Sequence, residues 1–165
     1  MPKTRLLHPQ IAALLSELRH GEMICIADAG SGTSAAALVP LKPDVEIIDV
    51  AFSPNVPTLS DVLPVLWEVG DFEAAIVTED MKSANPDGFA LVSELVGDGN
   101  VHEVGYVPQF YQLRDRVKAV IQTGDYAVHG NVILVAGYPS PPIPMNWLTS
   151  SQWFDDAVAA DRGGH

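Results

Sequence analysis

Cysteine is almost missing from this chain: Cys25 is the single one in 165 residues. No internal disulfide can form, so nothing supports folding in an oxidising compartment. Cys25 lies in the apolar run Met23-Ile24-Cys25-Ile26-Ala27. No basic neighbour or helix terminus there activates a nucleophile, and the residue reads as a buried, inert thiol. Positive charge is also scarce. Nine Lys+Arg stand against 21 Asp+Glu, a net charge of −12. A phosphate-binding surface needs clustered cations, so this balance argues against a nucleic-acid partner and against an anionic membrane surface. It favours small neutral ligands or cationic partners. Charged residues of both signs make up only 18%, below the roughly 25% of an average soluble domain.

Long unbroken apolar runs are absent too. Behind Lys3 and Arg5 the block 11–15 is short and is followed by Glu17, Arg19 and His20, which is no cleavable leader. Residues 126–154 contain no Lys, Arg, Asp or Glu, but Pro139, Pro141, Pro142, Pro144 and Asn146 interrupt them. That stretch is not a membrane span, and a cytoplasmic location is expected.

What is present is an alternation of short apolar strands and helices. Ile11, Leu14, Leu15 and Leu18 recur at helical spacing, with Pro9 in the first turn. Strands are expected at 23–27, 45–50, 74–78, 101–106, 118–121 and 132–135. Thr58 with Asp61 marks the start of a helix over about 59–69, whose first turns Pro64 weakens. Asn85-Pro86 opens a helix that buries Phe89, Val92, Leu95 and Val96 and stops at Gly97. Pro108 opens another, carrying Phe110, Leu113 and Val117. The pattern implies one α/β domain, a largely parallel sheet flanked by helices, over residues 1–137. Residues 138–165 form a proline-rich extension, in which Trp147, Trp153 and Phe154 could anchor to the body or to another subunit. Residues 138–146 are expected to be extended and 161–165 frayed.

In open α/β folds ligands sit beyond the carboxyl ends of the strands. That rule selects Asp28, Asp49, the corner Thr78-Glu79-Asp80, and the loop holding His129 and Asn131. His20 closes the first helix and is a further candidate. An Asp ending a strand either accepts hydrogen bonds from sugar-type hydroxyls, orients a histidine, or caps its own turn. A His near a helix C-terminus is favoured as a cation, which suits a general acid or a simple cap. His129-Gly130-Asn131 offers a proton carrier and a two-way amide, or a plain turn. Sharper motifs fail. Gly30-Ser31-Gly32 is not a nucleophile elbow, because residue 29 is Ala. Ala35 breaks a dinucleotide fingerprint, and no Walker lysine is present. The isolated histidines give no metal set.

Four segments resemble the ribose pyranase and fucose mutarotase family of sugar-ring isomerases. They are LLHPQIAALLSELRHGEMICIADAG at 6–30, IIDVAFSPNVPTLSDVLPVL at 47–66, EDMKSANP at 79–86 and FYQLRDRVKAVIQTGDYAVHGNVILVAG at 110–137. The resemblance implies His20 as the general acid/base, Asp28 as its orienter or a hydroxyl acceptor, and His129 as the proton-exchanging partner. It also implies sugar binding by Lys82, Gly130 and Asn131, no cofactor and no metal. His129 stands where the family has Tyr, and Val107 where the ribose branch has a substrate-contacting His and the fucose branch an Arg. Tyr106, Gln109 or His102 could supply the polar group that Val107 does not offer. Gly130 and the Phe110-Tyr111 pair lean toward the fucose branch, so an L-fucose mutarotase-like activity is expected. The alternatives are a D-ribose pyranase-like activity on another aldose, or a non-catalytic sugar-binding or transport-accessory protein. A homo-oligomer, a decamer by resemblance, is expected, with sites near subunit boundaries.

Overall fold

A computed structural model of the chain describes residues 5–149. Six strands form one sheet in the order β2-β5-β1-β6-β3-β4. They are β1 (Met23–Ala27), β2 (Glu46–Asp49), β3 (Phe72–Thr78), β4 (Val101–Val104), β5 (Ala119–Gln122) and β6 (Val132–Ala136). β1 pairs parallel with β5, β5 with β2, and β3 with β4. β6 lies between β1 and β3 and runs antiparallel to both. The sheet is therefore largely parallel, with one reversed strand at its centre.

Successive side chains of a strand point to opposite faces, and here both faces are buried. Ile24 and Ile26 of β1 join a core with Ile11 and Leu14 of α1 (Pro9–Glu17) and Leu63 and Leu66 of α2 (Leu59–Val69). Met81 of α3 (Met81–Ala84) and Val92 and Val96 of α4 (Pro86–Val96) complete that layer. Met23, Cys25 and Ala27 face the other way, toward Leu41, Val45, Phe110, Leu113, Val117 and Leu148.

The helix starts follow local chemistry. Thr58 and Asp61 form both bonds of a capping box ahead of α2, and the Asn85 side chain accepts the Gly88 N–H ahead of α4. Pro64 does not break α2. It removes one helical N–H, and the buried Leu59, Leu63 and Leu66 hold the turns on either side. The helix expected from Pro108 is shorter than the apolar spacing suggests. Residues Tyr106–Phe110 form a wide turn in which Val107 is extended, with φ −125° and ψ 122°, as the residue before a proline prefers. Only α5 (Tyr111–Arg114) follows it. Residues 138–144 form no helix or strand, and α6 (Met145–Thr149) takes up the last two residues of the stretch expected to be extended; Leu148 is buried. Trp153, Phe154 and residues 161–165 lie outside the described residues. No described helix is long and apolar enough to cross a membrane.

Between β1 and β2 the chain makes a long irregular loop, residues 29–44, tied down by Arg114. This residue is 3% exposed. Its Nη1 donates to the Gly32 carbonyl and its Nη2 to the Val39 carbonyl, while Nε is buried with no hydrogen-bond partner. Its guanidinium carbon sits 4.9 Å from the Tyr111 ring centroid.

Two outcomes follow. Hydrogen bonds from a charged donor are worth about 1.5–3 kcal/mol each. Arg114→Met is therefore expected to speed amide exchange at Ser31, Ala36 and Ala37 by roughly tenfold or more while β1 stays protected. Burial pushes the Cys25 thiol up to about 12. An aromatic disulfide reagent at pH 8 should leave the native thiol untouched and modify it only in denaturant.

Candidate functional site

Asp28 follows the last residue of β1, and the reversal of β6 sets Asn131 beside it, because Val132 pairs with Ile26. The Asp28 N–H donates to Asn131 Oδ1 at 2.9 Å. The Ser31 hydroxyl donates to Asp28 Oδ1 at 2.9 Å, with a second contact to Asn131 Oδ1 at 3.0 Å. The Gly130 N–H donates to Asp28 Oδ2 at 3.1 Å. Gln122 Nε2 donates to the Asp28 carbonyl. Asp28 is thus buried, with each carboxylate oxygen fixed by one donor and a second lone pair left on each. Asn131 spends its oxygen on Asp28 and Ser31, which leaves its amide N–H groups for a ligand.

His129 sits in the left-handed region at φ 49°, a conformation that His adopts more readily than most residues. Its Nδ1 lies 3.2 Å from the Thr78 hydroxyl at the end of β3. Its ring meets Tyr106 edge-on, with centroids 5.0 Å apart. The Tyr106 and Tyr111 hydroxyls are hydrogen-bonded at 2.9 Å. That bond, aided by burial, pushes Tyr106 up to about 12, so it stays a neutral phenol.

These groups wall one cavity of about 440 Å³ at the carboxyl edge of the sheet. Its lining includes Asp28, Ser31, Tyr106, Arg114, His129 and Asn131, with Leu38, Val39 and Val128 at its apolar side. A rigid carboxylate, an amide donor, an imidazole and phenols in a space of this size suit a small polyhydroxylated molecule. No group of three or more His, Cys, Asp or Glu among the described residues is placed to hold a metal ion.

The Thr123-Gly124-Asp125 segment braces the site from behind. The Thr123 hydroxyl donates to the Ala27 carbonyl at 2.7 Å, and Asp125 Oδ2 accepts the Leu59 N–H at the start of α2 at 2.8 Å. Gly124 is packed against backbone: a Cβ there would lie 2.5 Å from the Ser53 carbonyl oxygen.

The other candidates lie elsewhere. His20 is at the opposite, amino edge of the sheet, where its Nε2 bonds Glu73 Oε1 at 2.6 Å. All of β1 separates it from Asp28, about 17 Å of strand rise. The expectation that one chain gathers both residues around one ligand is not met. His20 precedes the strand and Asp28 follows it, so they face separate cavities. Lys82 is exposed on α3, with Nζ 5.6 Å from the Phe89 ring centroid, and is not part of the cavity wall. Asp49 accepts the Ala51 N–H in a turn, and Glu79 and Asp80 are exposed. Of Tyr106, Gln109 and His102, the residues that could stand in for a polar side chain at position 107, only Tyr106 lines the cavity. Gln109 accepts the Gly105 N–H, and His102 stands in β4, where burial lowers its pKa. Sequence reasoning missed Arg114 and the structural use of Ser31. A signal for Arg114 existed: with Phe110, Leu113 and Val117 it completes an i, i+3, i+4, i+7 stripe, which marks a buried position.

Comparison with known proteins identifies the family. Residues 1–139 match the RbsD / FucU transport protein family. A D-ribose pyranase of Pseudomonas entomophila (strain L48) is 33% identical over 139 residues, covering 83% of this chain and 98% of that protein. Another from Streptococcus agalactiae serotype Ia is 31% identical over 138 residues, with the same coverage. Bacillus subtilis RbsD, solved in complex with D-ribose, superposes with a TM-score of 0.73 at 29% identity, over 85% of this chain and 100% of that one. The fucose mutarotase of Streptococcus pneumoniae, solved with L-fucose, shares the fold with a TM-score of 0.63 at 16% identity, over 85% of this chain and 98% of that one. The family model over residues 1–139 and the relatives matched over nearly their whole length show that the chain belongs to the RbsD / FucU family.

Proposed function

We propose that this chain is a cofactor-independent sugar-ring isomerase that interconverts the ring forms of D-ribose. The observation that carries the reading is the cavity in which Asp28, Asn131 and His129 converge. The choice of ribose replaces the lean toward L-fucose. That lean rested on Gly130 and the Phe110-Tyr111 pair, whereas relatives 27–33% identical over nearly their whole length are D-ribose pyranases. The fucose mutarotase shares the fold alone.

Opening a hemiacetal requires a proton delivered to the ring oxygen and another removed from the anomeric hydroxyl. Closure through a different hydroxyl gives the other ring size. The free lone pairs of Asp28 accept sugar hydroxyls, and the Asn131 amide donates to an adjacent oxygen. His129, fixed through Nδ1 by Thr78, keeps Nε2 for proton exchange. The second proton carrier is His20 of another copy, since the chain's own His20 lies at the far edge. The apolar mouth supports such an assembly. Leu38 is 99% exposed and Val128 60%, both lining that cavity, and side chains of this kind grouped in the open mark a contact surface. The resemblance sets the expected copy number at ten.

Saturation-transfer NMR on D-ribose tests the reading. The protein is expected to accelerate pyranose–furanose exchange, and His20→Ala or Asp28→Asn to slow it by about 10²–10⁴-fold. An unchanged rate in His20→Ala removes that residue from the chemistry. Acceleration with L-fucose alone would restore the fucose reading. Binding without exchange would show a sugar-binding protein, the reading that Val107 and His129 favour. Because Tyr106 stays neutral until about pH 12, Tyr106→Phe is expected to leave the shape of the pH–rate profile between pH 5 and 9 unchanged. A displaced limb would assign that titration to the phenol.

A further inference from the structure

The family match ends at residue 139, yet the chain continues in described structure to Thr149. From Tyr138, just inside the matched length, through the added residues 140–149, the chain returns to the amino edge of the sheet and settles around His20. The Tyr138 ring stacks on the His20 ring, with centroids 5.9 Å apart and planes 29° from parallel. The Ile143 N–H donates to Glu73 Oε2 at 2.7 Å. The other oxygen of the same carboxylate, Oε1, holds His20 Nε2 at 2.6 Å. Leu148 is buried in the core, and its carbonyl accepts Arg116 Nη1 at 3.0 Å, which anchors the segment. Gly21, at φ +84°, lets the chain turn beside it: a Cβ there would stand 3.4 Å from Ile143 Cγ1.

We infer that residues 138–149 position His20 for proton transfer by holding Glu73 through the Ile143 main-chain N–H and bracing the imidazole with Tyr138. The inference rests on the reading of His20 as the general acid/base. A carboxylate only accepts hydrogen bonds. Glu73 therefore selects a His20 that carries its proton on Nε2, which leaves Nδ1 as the nitrogen that meets a substrate oxygen. A carboxylate bonded to the far ring nitrogen, fixing tautomer and ring orientation, is a general way to set a catalytic imidazole. Here the carboxylate is itself fixed, because the Ile143 amide occupies its other oxygen. Glu73, Ile143 and Tyr138 are positioning residues in this scheme. The imidazole stays reachable, since His20 lines two cavities of about 620 and 600 Å³.

Two full-length variants separate the main-chain bond from apolar packing. Ile143→Pro removes the N–H and keeps an apolar ring. Ile143→Ala keeps the N–H and removes most of the side chain. With D-ribose as substrate, kcat is expected to be about tenfold lower in Ile143→Pro than in Ile143→Ala, with KM equal within about twofold. Equal kcat in the two variants overturns the inference. If Ile143→Pro does not assemble like the wild type, ¹⁵N imidazole spectra of Glu73→Gln decide. A shift of His20 from one Nε2–H tautomer to a mixture supports the inference, and an unaltered spectrum overturns it. His20→Ala, measured alongside, keeps the two claims apart. A wild-type rate in that variant refutes the acid/base role itself. A dead His20→Ala beside equal Ile143 variants refutes only the role of the added segment.

Discussion

One strand running against the other five organises this molecule. β6 is antiparallel to both of its neighbours, so it begins at the edge where β1 and β3 end. Its first flank delivers Asn131 to Asp28 and His129 to Thr78. Its other flank leaves the sheet at the opposite edge, where Gly137 and Tyr138 meet the surroundings of His20. A parallel strand in this place would put Asn131 next to His20 and leave Asp28 without its amide partner. The sheet's mixed direction is therefore the feature on which both polar clusters depend.

The carboxyl-edge cluster shows how buried polar groups become useful. Each is held by protein partners that satisfy part of its capacity, and the remainder faces a ligand. Asp28 keeps one lone pair on each oxygen, and Asn131 keeps its N–H groups. This arrangement avoids the cost of an unpartnered buried charge and sets direction before any substrate arrives. Arg114 contributes differently. It binds the carbonyls of Gly32 and Val39 and so fixes the loop that carries Ser31 over the site. Neutral Tyr106, hydrogen-bonded to the Tyr111 hydroxyl, adds a wall whose own charge does not vary across working pH.

Much of this was legible in the residues. The apolar run 23–27 gives β1 to the residue, and the Thr58/Asp61 and Asn85-Pro86 signals mark the starts of two helices, because capping chemistry is local. The strand-end rule found Asp28, Thr78, His129 and Asn131 together. The direction of β6 was not legible, since a fully buried strand has the same apolar run whichever way it points. The position of His20 had a signal in the order of the chain: it precedes β1 while Asp28 follows it, so no single chain of this topology joins them. Lys82 resembled a family segment, but exposure and a neighbouring Phe89 define its surroundings here. The lean toward fucose drew on Gly130 and one aromatic pair, too few positions to outweigh identity spread over 139 residues.

On this account a functional site needs Asp28 from one copy and His20 from another. Subunit complementation addresses that claim most directly. Chains carrying His20→Ala and chains carrying Asp28→Ala, each inactive alone, are dissociated, mixed in equal amounts and reassembled. Random assembly leaves both residues intact at about a quarter of the contacts, so ring-exchange activity should return to about that fraction of the reassembled wild type. A mixture that co-assembles but stays as inactive as its parents would contradict a site shared between copies.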